Sequence, residues 1–456
     1  MNRTVKEKKN IDLELCSTNF VNSISSLRNF VTRIGFLAFQ EDMMMILELG
    51  ANMSSLFGHP EDVKPLVKEV HKKEAMIKAL EKGSDVDTRK INDLRLEIKE
   101  IEQTGKKRLS EIAREKLEDR EILISYLNEM TKFAKKSPVQ NHLLNVGALT
   151  TLLSIFENFI GKLIRFYYFK FQDALPSDAR VLTLAELKAM ENIEDAIDFI
   201  ISKEVEAILR TSIEDQLSFF EKKLKIDFTH LSHDLKSLSE IFQRRNLLVH
   251  NRGVVNNIYL QKVDKDIAIK YGVRIGQTLI VKEDYILTAI DKILTTGLFI
   301  SQSCWRKWNK DERTIADETV LEILNDALLD ENYELVISIS KFFPSFKFNT
   351  DQACKYCSIN VAIALKQLNK IDEMEQFLST LDWSSAAIKF DLALKALRNQ
   401  TLELVNLIPK AISIGDIKRS DLAEWPLFKE FRCTEEYSEV LAKISKQQVP
   451  QMPTTM

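Results

Sequence analysis

Arg245, Asn246 and His250 fall within one short stretch, RRNLLVHNRG (244–253), of a chain that holds only six histidines. These side chains suit the cleavage of RNA by internal transesterification. Histidine as a residue type titrates near neutrality, so it can take the proton of a 2′-hydroxyl or donate one to a departing 5′-oxygen. Arginine stays charged and can stabilise the extra negative charge of a phosphorane. Asparagine can hydrogen-bond the imidazole and fix its orientation, or hold a phosphate oxygen. This chemistry calls for no metal and no cofactor, and because the substrate supplies its own nucleophile it is confined to RNA.

The stretch is predicted to end a helix, LKSLSEIFQRRNLLVHN, whose start Ser232 or Asp234 can cap. At about 100° per residue, Asn246 and His250 share a face, whereas Arg245 points about 140° away from His250. One helix therefore does not close arginine and histidine onto one phosphate, but two copies related by a two-fold axis can. Arg244, Asn251 and Arg252 flank the trio as candidate RNA contacts. Arg244 and Arg252 read equally well as surface or salt-bridged arginines, and His250 as a helix C-terminal residue favoured by the dipole.

The elements that hold this stretch must come from a long, helix-rich chain. At 456 residues it exceeds one ordinary core and predicts about two to four units. Apolar content of 45%, charged content of 29%, 12 glycines and 9 prolines point to an all-α protein. A net charge of −3 argues against a body that coats nucleic acid nonspecifically, so any RNA contact must be local. The N-terminus lacks an apolar run after its positive charges, and nowhere do about 18 uncharged apolar residues follow one another. The expectation is a soluble cytoplasmic protein with no membrane partner.

Cys16, Cys304, Cys354, Cys357 and Cys433 are an odd number and widely scattered, which argues for reduced thiols rather than a disulfide framework. The lone C-x-x-C, CKYC, has no second pair at zinc spacing and reads as two small core residues on one helix face. His230 and His233, in HLSH, read as loop and cap residues. Trp305 and Trp308, in CWRKW, have the types to stack on bases beside Arg306 and Lys307, but packing at a domain junction is the commoner role.

Along the chain, residues 1–140 form a helical N-terminal region. A pair of packed helices is expected over 14–58, with Gly58 and Pro60 as punctuation. A long charged αα-hairpin follows over 61–136, its stripes Leu66, Val70, Ile77, Leu80 and Ile91, Leu94, Ile98, Ile101 joined at Gly83. Residues 141–310 form a helical bundle opened by the apolar helix LLNVGALTTLLSIFENFIGKLIRFYYFKF, with helical segments at about 184–202 and 203–223 and a short β-prone TLIV near 278–281. Residues 316–446 read as stacked helix pairs of about 30 to 40 residues each, and 447–456 as a disordered tail.

IFQRRNLLVHNRGVVNNIYL, preceded by FENFIGKLIRFYYF and followed by RIGQTLIVKEDYILTAIDKI, resembles the HEPN superfamily of small four- to five-helix domains, whose signature is an arginine, a polar residue, three or more residues and a histidine. The resemblance covers about 143–308, and Arg245, Asn246 and His250 fall on the signature. It implies a homodimer through residues 141–310 with the signature helices facing each other, and metal-independent endoribonuclease activity. It also points to Glu157 in the first helix, where many members carry a polar residue near the site. The C-terminal pairs are similar to tetratricopeptide-like tails, which usually bind proteins.

The expected function is thus RNA cleavage at a composite dimer site, in antiviral defence or toxin-like growth arrest, with the repeats or the N-terminal hairpin engaging protein partners. The alternative is a non-catalytic HEPN-type dimer that serves as an RNA-binding or protein-interaction scaffold.

Overall fold

The computed structural model describes residues 12–56, 140–176, 181–225, 232–384 and 387–447, together with scattered positions between 65 and 128. Every described element is a helix, and the one pairing of extended residues is an isolated antiparallel bridge between Val254 and Thr278. The chain is all-α. The TLIV segment thus contributes a single bridge rather than a strand.

The two helices expected over 14–58 are one, α1 (Leu13–Leu56). Gly35 and Gly50 lie inside it, and a glycine in a helix interior costs only about 1 kcal/mol, too little to break a helix that gains packing on either side. Next come α2 (Gln140–Lys170), the single-turn α3 (Leu184–Lys188), α4 (Ile193–Leu209) and α5 (Ile213–Leu224). The two segments expected at 184–202 and 203–223 are cut differently because Asn192 and Ser212 act as N-caps, accepting from the backbone N–H of Asp195 and Asp215. Then follow α6 (Ser232–Asn251), the short α7 (Asn257–Lys262) and α8 (Lys265–Lys270), and α9 (Glu283–Trp308).

By its contacts the chain divides into two compact units, and these do not follow the linear partition at residue 140. The first comprises Met1–Arg28, Leu149–Leu279 and Leu287–Met456. Its bundle core is aromatic: Phe20 of α1 stacks on Phe159 of α2 with centroids 4.1 Å apart, and Phe156 meets Phe242 of α6 edge-on at 6.2 Å. Burying each such ring contributes about 1.5–3 kcal/mol. α2 is long and apolar enough to cross a membrane by length and composition, with a mean hydropathy of 1.5. Its Leu149, Leu152, Leu153, Phe156, Ile160, Leu163 and Ile164 are nevertheless fully enclosed in this core.

In the same unit, α9 carries the connection to the C-terminal helices. Asp291 pairs with Arg28 of α1 and accepts from Asn332 at 3.1 Å, and Arg306 pairs with Asp317 at 2.6 Å. Trp305 is buried and donates to Glu312, while Trp308 stacks on Phe166 at 5.6 Å, so both tryptophans pack rather than face solvent.

Three helix pairs follow: α10 (Arg313–Leu329) with α11 (Tyr333–Ser340), α12 (Asp351–Gln367) with α13 (Ile371–Ser379), and α14 (Ile388–Leu397) with α15 (Thr401–Ser413). α16 (Glu435–Gln447) closes the series against α15. Each pair turns through one left-handed residue, Glu331, Asn369 or Asn399. Each turn is locked by the same bond to a carbonyl five residues back: Asn332 to Ala327, Lys370 to Leu365 and Gln400 to Lys395. The three pairs thus share one turn geometry. Cys357 is buried in α12 and Cys354 half-buried, burial pushing both thiols up. Of the tail expected at 447–456, Gln447 still belongs to α16, and 448–456 lie outside the described residues.

The second unit comprises Asn29–Ala148 and Ile280–Ile286. Here the Asp42 carboxylate accepts from the backbone N–H groups of Gln140 and Asn141 at 2.9 and 3.0 Å, capping α2 from another helix. Asn145, fully buried, donates to Val281 O at 3.2 Å, and the Val281 N–H donates to His142 Nδ1 at 3.4 Å. Val70 and Leu94, one from each predicted stripe of the hairpin, are buried, and Lys73 pairs with Glu97 at 2.6 Å. That pairing centres on residue 85, within the GSDVD stretch (83–87) that holds the expected turn; the turn itself lies outside the described residues.

Candidate functional site

Two adjacent arginines on α6 have opposite fates. The helix buries Leu238, Ile241 and Phe242 on the side held by the bundle core, and Leu247 on the side that the segment after α6 covers. Arg244 turns to the other side and is 3% exposed. Its Nε donates to Glu240 Oε1 at 2.6 Å, and its guanidinium lies 4.8 Å from the Tyr271 ring centroid. Tyr259 of α7 donates to the same Glu240 oxygen at 2.7 Å. Burial, reinforced by the Glu240 charge, holds that phenol far above the usual tyrosine range. Arg244 is therefore not a candidate RNA contact. It fastens the excursion 252–279 to α6.

Arg245 points to α2, where its Nη2 donates to Glu157 Oε1 at 2.7 Å, with the two side chains 24% and 31% exposed. The Nε of Arg245 finds no acceptor, so the guanidinium keeps donor capacity that the chain does not use. Asn246 is half-buried and His250 exposed in the last turn of α6. The helix is regular through both, so Asn246 and His250 share a face. Val249 and Val254, 52% and 36% exposed, leave apolar surface at the end of α6 and in the turn after it.

The end of α6 is clamped. Arg252 adopts a left-handed conformation (φ 51°) and Gly253 follows at φ 77°. The Gly253 N–H reaches back to Leu247 O at 3.1 Å, the six-residue closure that satisfies a terminal helix carbonyl. A Cβ on Gly253 would lie 3.1 Å from Leu279 O, so glycine is required there by both conformation and space. Leu279 N–H then donates to Gly253 O, and Val255 N–H to Gln277 O, both at 2.9 Å. Asn251 is exposed and donates one amide N–H to Val254 O at 2.5 Å, which ties it into this turn. Arg252 remains exposed.

The structure thus brings Glu157 to Arg245, sets Asn246 and His250 on one face, leaves Asn251 and Arg252 exposed, and removes the buried Arg244 from the contact set. His230 and the side chains of Ser232, His233 and Asp234 lie outside the described residues. Among the described residues no group of three or more His, Cys, Asp or Glu is placed to hold a metal ion. Of the readings the sequence offers for Arg244, the salt-bridged one holds, with Glu240 at the four-residue spacing that signals such a pair; the part played by Tyr259 has no local signal. Compared with known proteins, the chain matches no family model, no curated protein and no solved structure.

Proposed function

We propose that the protein is a metal-independent endoribonuclease that cleaves RNA at a composite site formed by two copies of residues 141–310. The observation that carries this reading is the arrangement at the end of α6: an exposed histidine on a clamped helix terminus, on one face with Asn246. His250 takes the 2′-hydroxyl proton as the 2′-oxygen attacks phosphorus. The His250 of the partner subunit gives a proton to the departing 5′-oxygen, leaving a 2′,3′-cyclic phosphate and a 5′-hydroxyl. Arg245 stabilises the charge that gathers on the phosphorane and Asn246 orients the imidazole. The exposed Val249 and Val254 fit a face that a second copy covers. A role in antiviral defence or growth arrest within the cytoplasm, with proteins docked on the helix pairs, extends the resemblance to the HEPN superfamily by analogy.

The second reading, a non-catalytic HEPN-type scaffold, is favoured by one observation: Glu157 already neutralises Arg245 within the chain. RNA cleavage in the presence of a chelator separates the two. Wild-type protein that leaves cyclic-phosphate ends, with His250→Ala inert, supports the enzyme; equal behaviour of the two proteins supports the scaffold.

A further inference from the structure

We propose that the excursion 252–279, which follows His250, is a phosphate-binding surface that leads single-stranded RNA onto the site, an inference that rests on the ribonuclease reading above. The chain as a whole has net charge −3, yet this short segment carries Arg252, Lys262, Lys265, Lys270 and Arg274 against only Asp264 and Asp266. All five cations are exposed, and none pairs with a described carboxylate. Asp264 is already spent, because it caps α8 through the Asp266 N–H and pairs with Lys236 at 2.8 Å. The segment is therefore a local basic surface on an otherwise acidic chain, which is where an anionic strand is drawn.

The surface is also built to stay in place. Tyr259, Val263, Ile267 and Leu279 close a small core over Leu247 of α6. Glu240 and Arg244 pin it from below through Tyr259 and Tyr271. The segment that carries the cations is thus fixed to the helix that carries His250. Ile258, Ile269 and Ile275 are 62%, 77% and 63% exposed among these cations. A duplex would bring only phosphates and riboses to such a surface, whereas a single strand can lay unstacked bases on apolar side chains.

The test is the salt dependence of binding. In a His250→Ala background, which prevents cleavage, a labelled 20-nucleotide oligouridine is titrated against the full chain and against Lys262→Gln/Lys270→Gln/Arg274→Gln. Each lost phosphate contact lowers the slope of log affinity against log salt by about 0.7 for a single strand, so the triple variant should lose about 2 in slope and at least about ten-fold in affinity at 0.1 M salt. The charge-conserving Lys262→Arg/Lys270→Arg/Arg274→Lys variant should bind as the parent does, which excludes a folding defect. Lys341→Gln/Lys410→Gln/Lys418→Gln, on the helix pairs, should leave binding unchanged. If the excursion triple keeps the parent's affinity and slope while wild-type protein cleaves RNA, the surface is overturned and the nuclease reading stands. If the parent binds no RNA and wild-type protein cleaves none, both are overturned.

Discussion

Arg245 of α6 donates to Glu157 of α2 at 2.7 Å, so the arginine assigned to the phosphorane is held by a carboxylate of its own chain. The pair is about a quarter to a third exposed, which leaves it open to exchange with a phosphate oxygen. On the proposed ribonuclease reading, Glu157 both positions the guanidinium and competes with RNA for it. Glu157→Gln should therefore lower KM by weakening the competitor and lower kcat by loosening the arginine. Steady-state cleavage of a fluorogenic RNA separates the two; a change in kcat with no change in KM would show that the carboxylate orients without competing.

His250 is exposed, and its replacement should cost activity without stability. In a homodimer His250→Ala removes both the base and the acid, each worth about 10²- to 10⁴-fold, so kcat is expected to fall by at least about 10⁴-fold, while the unfolding free energy stays within about 0.5 kcal/mol of wild type. Chelator-resistant cleavage together with thermal unfolding checks both halves.

The neighbouring arginines should behave oppositely. Arg244→Met takes the guanidinium away from the buried Glu240 carboxylate, and breaking such a pair costs about 3–5 kcal/mol. Arg245→Met breaks a partly exposed pair, which is worth about 1 kcal/mol or less. Denaturant titration should rank Arg244→Met well below Arg245→Met in stability, while RNA cleavage should be lost in Arg245→Met even where the fold is intact.

These two residues also mark what can be read from the sequence. The helix, its C-terminal histidine and the shared face of Asn246 and His250 follow from periodicity and spacing, both local properties. The destination of Arg244 does not, because it depends on a tyrosine 15 positions later folding back over α6. A sequence shows that an arginine stands next to the signature, but not which side of the helix is covered. The same limit explains α1: Gly58 and Pro60 were legible as punctuation, whereas the packing that keeps Leu13–Leu56 continuous comes from residues far away in the chain. Glu157 became legible only through the family resemblance, since 88 residues separate it from Arg245.

Gly297 of α9 shows how closely the bundle core depends on a missing side chain. A Cβ there would lie 2.4 Å from the Phe20 ring, which itself stacks on Phe159 at 4.1 Å and cannot retreat without opening that stack. Gly297→Ala should therefore destabilise by about 1–3 kcal/mol despite the better helix propensity of alanine. Gly297→Ala combined with Phe20→Leu should recover part of the loss; additive losses in the double variant would place the strain elsewhere.

His142 gives the second unit a pH dependence. Its Nδ1 accepts the Val281 N–H at 3.4 Å, an interaction open only to the neutral ring, and burial pushes its pKa below the ordinary value of 6.5. Above pH 6.5 the imidazole is neutral in both the folded and the unfolded chain and contributes no pH dependence. As the pH falls through that value the unfolded chain takes up the proton first, so the fold loses stability until the folded-state pKa is passed. Unfolding of the second unit, followed by hydrogen exchange at the Asn145 and Val281 amides, should become easier between pH 7.5 and 5.5. His142→Gln keeps an acceptor for the Val281 N–H and does not titrate, so it should flatten that dependence. An equally steep dependence in His142→Gln would assign the titration to another group.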